Sequence, residues 1–153
     1  MNFDFIEPFV SSTKKVLGTV LRTNAEYGDV SLRQGYELTG SVAVVIGIQD
    51  GSGESVILNM DEAQALGVCS AMSGVPCEAL DAFGIDALGE MANMIAGNAV
   101  SALNDRGYDF KIHPPKTVGK DELPALTAGL ELLQVPVRSG QGTITVNFTM
   151  RTN

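Results

Sequence analysis

The sequence predicts an α+β domain in which helices pack on a mostly antiparallel sheet, and three observations predict it. Apolar residues recur three and four positions apart in residues 3–22 and 84–106, the period of a helix with one buried stripe. Short apolar or alternating runs in 41–60 and 129–151 are split by Gly/Ser turns, Asp50-Gly51-Ser52-Gly53 and Ser139-Gly140-Gln141-Gly142, as in antiparallel hairpins. The order is helix, strands, helices, strands, a segregated arrangement rather than a strict alternation.

The first helix spans 3–22, with Phe5, Ile6, Phe9, Val10, Val16, Leu17, Val20 and Leu21 on its stripe. Pro8 falls in its opening turns, where a missing N–H donor is tolerated. Lys14 and Lys15 fall near its exposed side. Residues 29–38 and 41–49 read as strands; Val42-Ala43-Val44-Val45-Ile46 is apolar on both faces, which predicts a central strand covered on both sides. Residues 54–60 complete a hairpin with it. The glycines at 51 and 53 mark a turn, since neither a Gly-Lys-Ser/Thr ending nor a helix comes after them.

Asp61-Glu62 open the next helix with acidic groups at the positive end of its dipole, and it runs to Gly74. Val75-Pro76 breaks it. Residues 77–83 read as another turn or two before a long helix over 84–106, which Arg106-Gly107 closes. Tyr108 to Lys111 reads as extended, and the two prolines at 114 and 115 keep residues 111–115 stiff and extended. Residues 116–127 read as loop or short helix. Residues 129–138 and 143–151 are strands; Ile144, Val146, Phe148 and Met150 alternate with Thr143, Thr145, Asn147 and Thr149, giving one face for helices and one polar face.

The chain has 153 residues, enough for one domain over 1–153 with a substantial core. With 18 acidic against 10 basic side chains, its net charge of −8 opposes attraction to nucleic acid or an anionic membrane. The N-terminus lacks a basic, apolar leader, and no stretch has the length of a membrane span. Cys69 and Cys77 do not form a Cys-x-x-Cys motif and read as reduced, structural thiols of a cytoplasmic protein. His113, the single histidine, precedes two prolines and reads as a packing or surface residue.

The long helix carries the chemistry. Ile85, Leu88, Met91, Ala92, Ile95, Ala99, Ala102 and Leu103 fall on its core face, and Asp86, Glu90, Asn93, Gly97 and Ser101 fall together on the opposite face. Glu90 and Asn93 are one turn apart, so both can reach one small target, and Gly97 leaves room for close approach. Asn and Gly each cost a helix interior roughly 0.5–1 kcal/mol relative to Ala. Asp86 falls early enough in the helix to cap its first turn. There is no Ser/His/Asp set, Cys/His pair or metal-binding cluster in the sequence, and Asp86 and Glu90 form a carboxylate pair on an open face. Such a stripe suits a reaction whose metal and labile bond belong to a partner and which needs a positioned water.

The run Asp86-x-x-x-Glu90-x-x-Asn93, then Met94-Ile95-Ala96-Gly97-Asn98 and Pro114-Pro115, resembles the signature of the CheX/CheC family of chemotaxis phosphatases. Pro115 comes after Asn93 with 21 residues between, one short of the family spacing and a difference of loop length only. The resemblance extends over nearly the whole chain. It implies a CheC-like/CheX-like fold, a homodimer paired through its sheets, and a phosphorylated CheY-type response regulator as partner, which supplies its own Mg²⁺; the chain needs no cofactor of its own. Asn93 would align the attacking water and Glu90 would pair with the regulator's lysine. Asp86 would cap the helix or touch the regulator's rim, with Gly97 and Met94 in the contact surface. The first helix lacks a second Glu-x-x-Asn pair, which implies one active centre per subunit, as in CheX relatives. Two other classes remain open: a module that docks on a regulator without dephosphorylating it, and a structural component of a motor or receptor complex.

Overall fold

The computed structural model describes residues 3–38, 40–140 and 142–150. The first helix, α1 (Ile6–Leu21), comes after a single 3₁₀ turn and buries Phe9, Val10, Val16 and Leu17. Among the described residues, seven strands form one antiparallel sheet: β1 (Ala25–Tyr27), β2 (Ser31–Gln34), β3 (Val42–Gly47), β4 (Ser55–Met60), β5 (Lys116–Gly119), β6 (Glu131–Ser139) and β7 (Gly142–Met150). Their spatial order is β1-β6-β7-β4-β3-β5, with β2 also pairing β6. α1, α2 (Glu62–Ser73) and α3 (Ala82–Asp105) cover one face, and the short α4 (Leu123–Thr127) contributes to the cover of the other. The expected end of the last strand at Arg151 and the Gln141 turn position lie outside the described residues.

The main core lies between the helices and the sheet. Val44 and Ile46 of β3, Leu58 of β4, and Ile144, Val146 and Phe148 of β7 meet Phe9, Leu17, Leu88, Met91, Ile95 and Leu103. Phe9 and Phe148 pack edge to face with ring centroids 6.2 Å apart. α1 and α3 are joined at two levels: Ser12 Oγ donates to the Ile95 carbonyl at 2.6 Å, and Arg106 Nη2 donates to Glu7 Oε2 at 2.9 Å. The Ser11 hydroxyl and then Arg106 hold the Glu7 carboxyl below the ordinary glutamate range. Lys14 and Lys15 are exposed as expected, and Lys14 Nζ stands 5.8 Å from the Tyr27 ring centroid.

The expected strand over 29–38 is instead one short strand, β2, followed by a 3₁₀ turn, Gly35–Glu37, and a further short strand, β1, lies before it where none was expected. Tyr27 lies opposite Val137 and Ser31 opposite Gln134, so three residues of this edge face two of β6. Pro136, at the break, has no N–H to donate and only accepts, from Gly28 N at 2.9 Å; the ladder bulges there. β3 is covered on both faces as its composition demands, because Ala43 and Ile57 form a second small core with Val118 and Leu123. The polar face of β7 is not solvated. Asn147 and Thr149 are buried and satisfied: Asn147 Nδ2 donates to the Ile57 carbonyl at 3.1 Å, and Gln134 Nε2 donates to Asn147 Oδ1 at 2.8 Å.

The expected pair of reduced thiols is instead a disulfide between Cys69 and Cys77. Eight positions apart, the two come within 6.1 Å between Cα atoms because Gly74, at φ 76°, ends α2 and turns the chain back over its last turn. That spacing lies within the reach of a disulfide. His113 is exposed, and its N–H donates to the Gly47 carbonyl at 2.8 Å.

Candidate functional site

α3 begins two residues earlier than its periodicity suggests, and a different acid caps it. Asp81 is the N-cap, in extended conformation, and its carboxylate accepts from Gly84 N at 3.0 Å. Asp86 lies beyond the capping turn, so it is exposed on the helix wall and does not cap. Residues 77–81 form no extra helical turn, since the disulfide and the Asp81 cap hold them outside helical geometry. The signal for this cap was legible: an Asp three residues before a glycine, just ahead of the apolar period. Replacing Asp81 with Ala removes the acceptor for Gly84 N, and the protein is expected to lose about 1 kcal/mol of stability, read as a lower urea midpoint with an unchanged slope.

The exposed wall of α3 carries the stripe the periodicity draws. Asp86, Glu90, Asn93, Gly97 and Ser101 are all exposed, while Leu88, Met91, Ala92, Ile95, Ala99 and Leu103 are fully buried beneath them. No hydrogen bond or ion pair to another described residue engages the Glu90 carboxylate or the Asn93 carboxamide. A Cβ placed on Gly97 would meet nothing within 4 Å, and the same holds for Gly89, one turn before Asn93. Packing within the chain therefore does not require these glycines. Each costs the helix about 1 kcal/mol relative to Ala, and what they leave is a low shelf beside Asn93.

Ile85 departs from the expected core face: it is 43% exposed. The start of α3 leans towards the β5 edge of the sheet, where Ile85 lines an open groove with Leu80, Val42 and Val118. Phe83 is 56% exposed and Met94 40% exposed. Spaced four and seven apart, Phe83, Ala87 and Met94 run down the helix beside Glu90, an apolar flank to the acidic and amide groups. Met94 stands in the sequence-based site, whereas Phe83 was hidden by the expectation that it belonged to a preceding turn. Among the described residues, no three His, Cys, Asp or Glu side chains gather as a metal site. No helix among them is long and apolar enough to cross a membrane.

The model of the family described as chemotaxis phosphatase CheX matches residues 42–138, which include the whole of α3. The chain belongs to that family. It is 30% identical over 138 residues to the CheY-P phosphatase CheX of Thermotoga maritima, with 90% of this chain and 88% of that one covered. Its structure is also similar to that of the CheX–CheY–BeF₃–Mg²⁺ complex from Borrelia burgdorferi, with a TM-score of 0.80 and 30% identity over 99% of this chain and 100% of that one. A CheC-like superfamily protein from Shewanella sp. PV-4 superposes with the same TM-score of 0.80 at 27% identity, covering 97% and 98% of the two chains. The α+β architecture is thus the CheC-like/CheX-like fold. As a member of this family the chain is a phosphatase.

Proposed function

We propose that this CheX-family protein hydrolyses the aspartyl phosphate of a CheY-type response regulator in the cytoplasm, with Asn93 aligning the attacking water and Glu90 pairing with a lysine of the regulator. The observation that carries the reading is the face of α3 itself: a carboxylate and a carboxamide one turn apart, both exposed and unengaged, beside glycines that the fold does not need. The Thermotoga relative that acts on CheY-P and the Borrelia relative in complex with CheY and Mg²⁺ supply the substrate class and the partner.

An aspartyl phosphate is an acyl phosphate. Water attacks phosphorus, the bond to the carboxyl oxygen breaks, and inorganic phosphate and a free aspartate result. Such a transfer needs orientation and charge neutralisation more than a covalent intermediate. The Asn93 amide can accept a hydrogen bond from the water and donate one to a phosphoryl oxygen; it takes no proton. Mg²⁺ belongs to the regulator and neutralises phosphoryl charge there. Asp86 meets the rim of the regulator, and Phe83 and Met94 give the contact an apolar flank. A homodimer formed through the sheets would use one of the two edges, β1–β2 or β5.

The deciding experiment measures Mg²⁺-dependent phosphate release from a phosphorylated CheY-type regulator with and without this protein. Faster release supports the phosphatase reading. Binding without acceleration leaves a docking module, and no binding leaves a structural role. A second test uses opposite signs. Gly97→Ala is expected to stabilise the protein by about 0.5–1 kcal/mol, read by urea unfolding, while raising KM for the phosphorylated regulator, because the new methyl stands on the shelf the partner approaches.

A further inference from the structure

The disulfide sits against the first turn of the site helix. Cys69, on α2, is fully buried, and Cys77 is half-buried in the connection between α2 and α3. That connection, residues 74–81, has no helix or strand. Besides the disulfide it is held at its start by Gly74 N to the Ser70 carbonyl at 2.9 Å, by Cys77 N to Ser70 Oγ at 2.9 Å, and by Ser73 Oγ to the Val75 carbonyl at 3.1 Å. It then delivers Leu80 to the core and Asp81 to the cap of α3. The Cys69 sulfur closes the same unit from beneath: a Cβ on Gly84 would lie 3.5 Å from Cys69 Sγ, 3.3 Å from Leu80 Cδ2 and 3.6 Å from the Ala79 carbonyl. Sulfur pair, connection and capping turn are packed as one piece, immediately ahead of Asp86 and Glu90.

We propose that Cys69–Cys77 is a reversible redox site whose oxidised form orders the capping turn of α3 and holds the Glu90–Asn93 face ready to dock. The consequence for docking rests on the proposed phosphatase reading; the ordering of the turn does not. The reductant is a dithiol. One of its thiolates attacks Cys77 Sγ, the accessible sulfur, forming a mixed disulfide and releasing Cys69 as a thiolate that takes up a proton. The second thiol of the reductant then displaces Cys77, so the protein gains two electrons and two protons and the reductant leaves as a disulfide. Two unbonded sulfurs need a separation of about 3.5–4.0 Å, the scale of ordinary non-bonded contact. Cys69 is fully buried with its sulfur close to the Gly84 backbone, whereas Cys77 is only half-buried, so Cys77 moves outward and takes the connection with it. In a reducing compartment, where the proposed regulator is met, a disulfide is characteristically redox-sensing.

The test compares the full chain oxidised with oxidised glutathione and reduced with dithiothreitol, by hydrogen exchange across residues 74–86 and by KM and kcat on a phosphorylated CheY-type regulator. Removing a cross-link that closes a short loop is expected to raise exchange in 74–86 about tenfold or more, with α1 unaffected. KM rises on reduction and kcat does not change. Cys77→Ser and Cys69→Ala both behave as the reduced form under either condition. Equal exchange in the two states, or failure of oxidised glutathione to re-form the bond, overturns the proposal whatever the activity shows. Exchange that responds while KM stays the same overturns the control of docking. Exchange that responds while neither form speeds regulator decay removes the phosphatase reading and leaves the redox control of the capping turn standing.

Discussion

Asn93→Ala is expected to reduce acceleration of regulator dephosphorylation by about a hundredfold or more, the scale lost when a reactant is no longer held in its attack geometry. That corresponds to roughly 2.7 kcal/mol of transition-state stabilisation. The substitution takes away both hydrogen bonds of the carboxamide and nothing the fold uses, because Asn93 is exposed and engages no described residue. Stability therefore stays level or rises slightly, since Ala is the better helix former by a few tenths of a kcal/mol. Affinity for the phosphorylated regulator changes little, because Glu90 and the apolar flank of Phe83 and Met94 remain. The measurement is the single-turnover decay of the phosphorylated regulator at saturating protein, paired with a direct binding measurement. A variant that decays the regulator at the wild-type rate sinks the water-aligning role.

The largest expected loss of stability is that of Phe148→Ala. Phe148 is fully buried at the centre of the sheet, paired through β7 with Val56 of β4 and Leu133 of β6, and it meets Phe9 of α1 edge to face. Truncation opens a cavity between sheet and helices that rigid strands cannot close, at a cost of about 3–5 kcal/mol. At roughly 2–4 °C per kcal/mol for a chain of this size, Tm falls by about 10 °C. Below the new transition the active face should still work, because α3 presents Glu90 and Asn93 on its opposite wall. A calorimetric scan beside a low-temperature activity measurement checks both halves; a Tm within a degree or two of wild type would mean that the helix layer relaxes to fill the space.

The exposed face of α3 that carries the candidate site was largely legible from the sequence. Its signal is one local helical period, and Asp86, Glu90, Asn93, Gly97 and Met94 all emerge on the exposed wall of α3. Phe83 was missed because the sequence places the helix start at Gly84; with Asp81 as the cap, Phe83 moves from a preceding turn into the first turn of α3 and onto the flank of the site. The capping role offered for Asp86 fell for the same reason: the helix begins at Ala82 and Asp81 holds the cap. The glycines show the limits of sequence from the other side: whether a helix glycine is required by the chain's own packing cannot be read locally, and the empty space around Gly97 shows that here it is not.

By itself the sequence determined the elements whose causes are local: α2 between the Asp61 cap and Gly74, the long helix up to Gly107, the β3–β4 and β6–β7 hairpins, and the stripe on α3. Hydrophobic period, capping side chains and turn residues act over a few positions and are written next to the structure they cause. Tertiary structure alone decided what depends on distant segments meeting. It split the first edge strand opposite Pro136, buried Asn147 and Thr149 on the outer face of the sheet, exposed Ile85 near the β5 edge, and joined Cys69 to Cys77. In each case the controlling contact is with a residue or segment that local pattern does not specify, because burial and bonding depend on what covers a surface as well as on the surface itself.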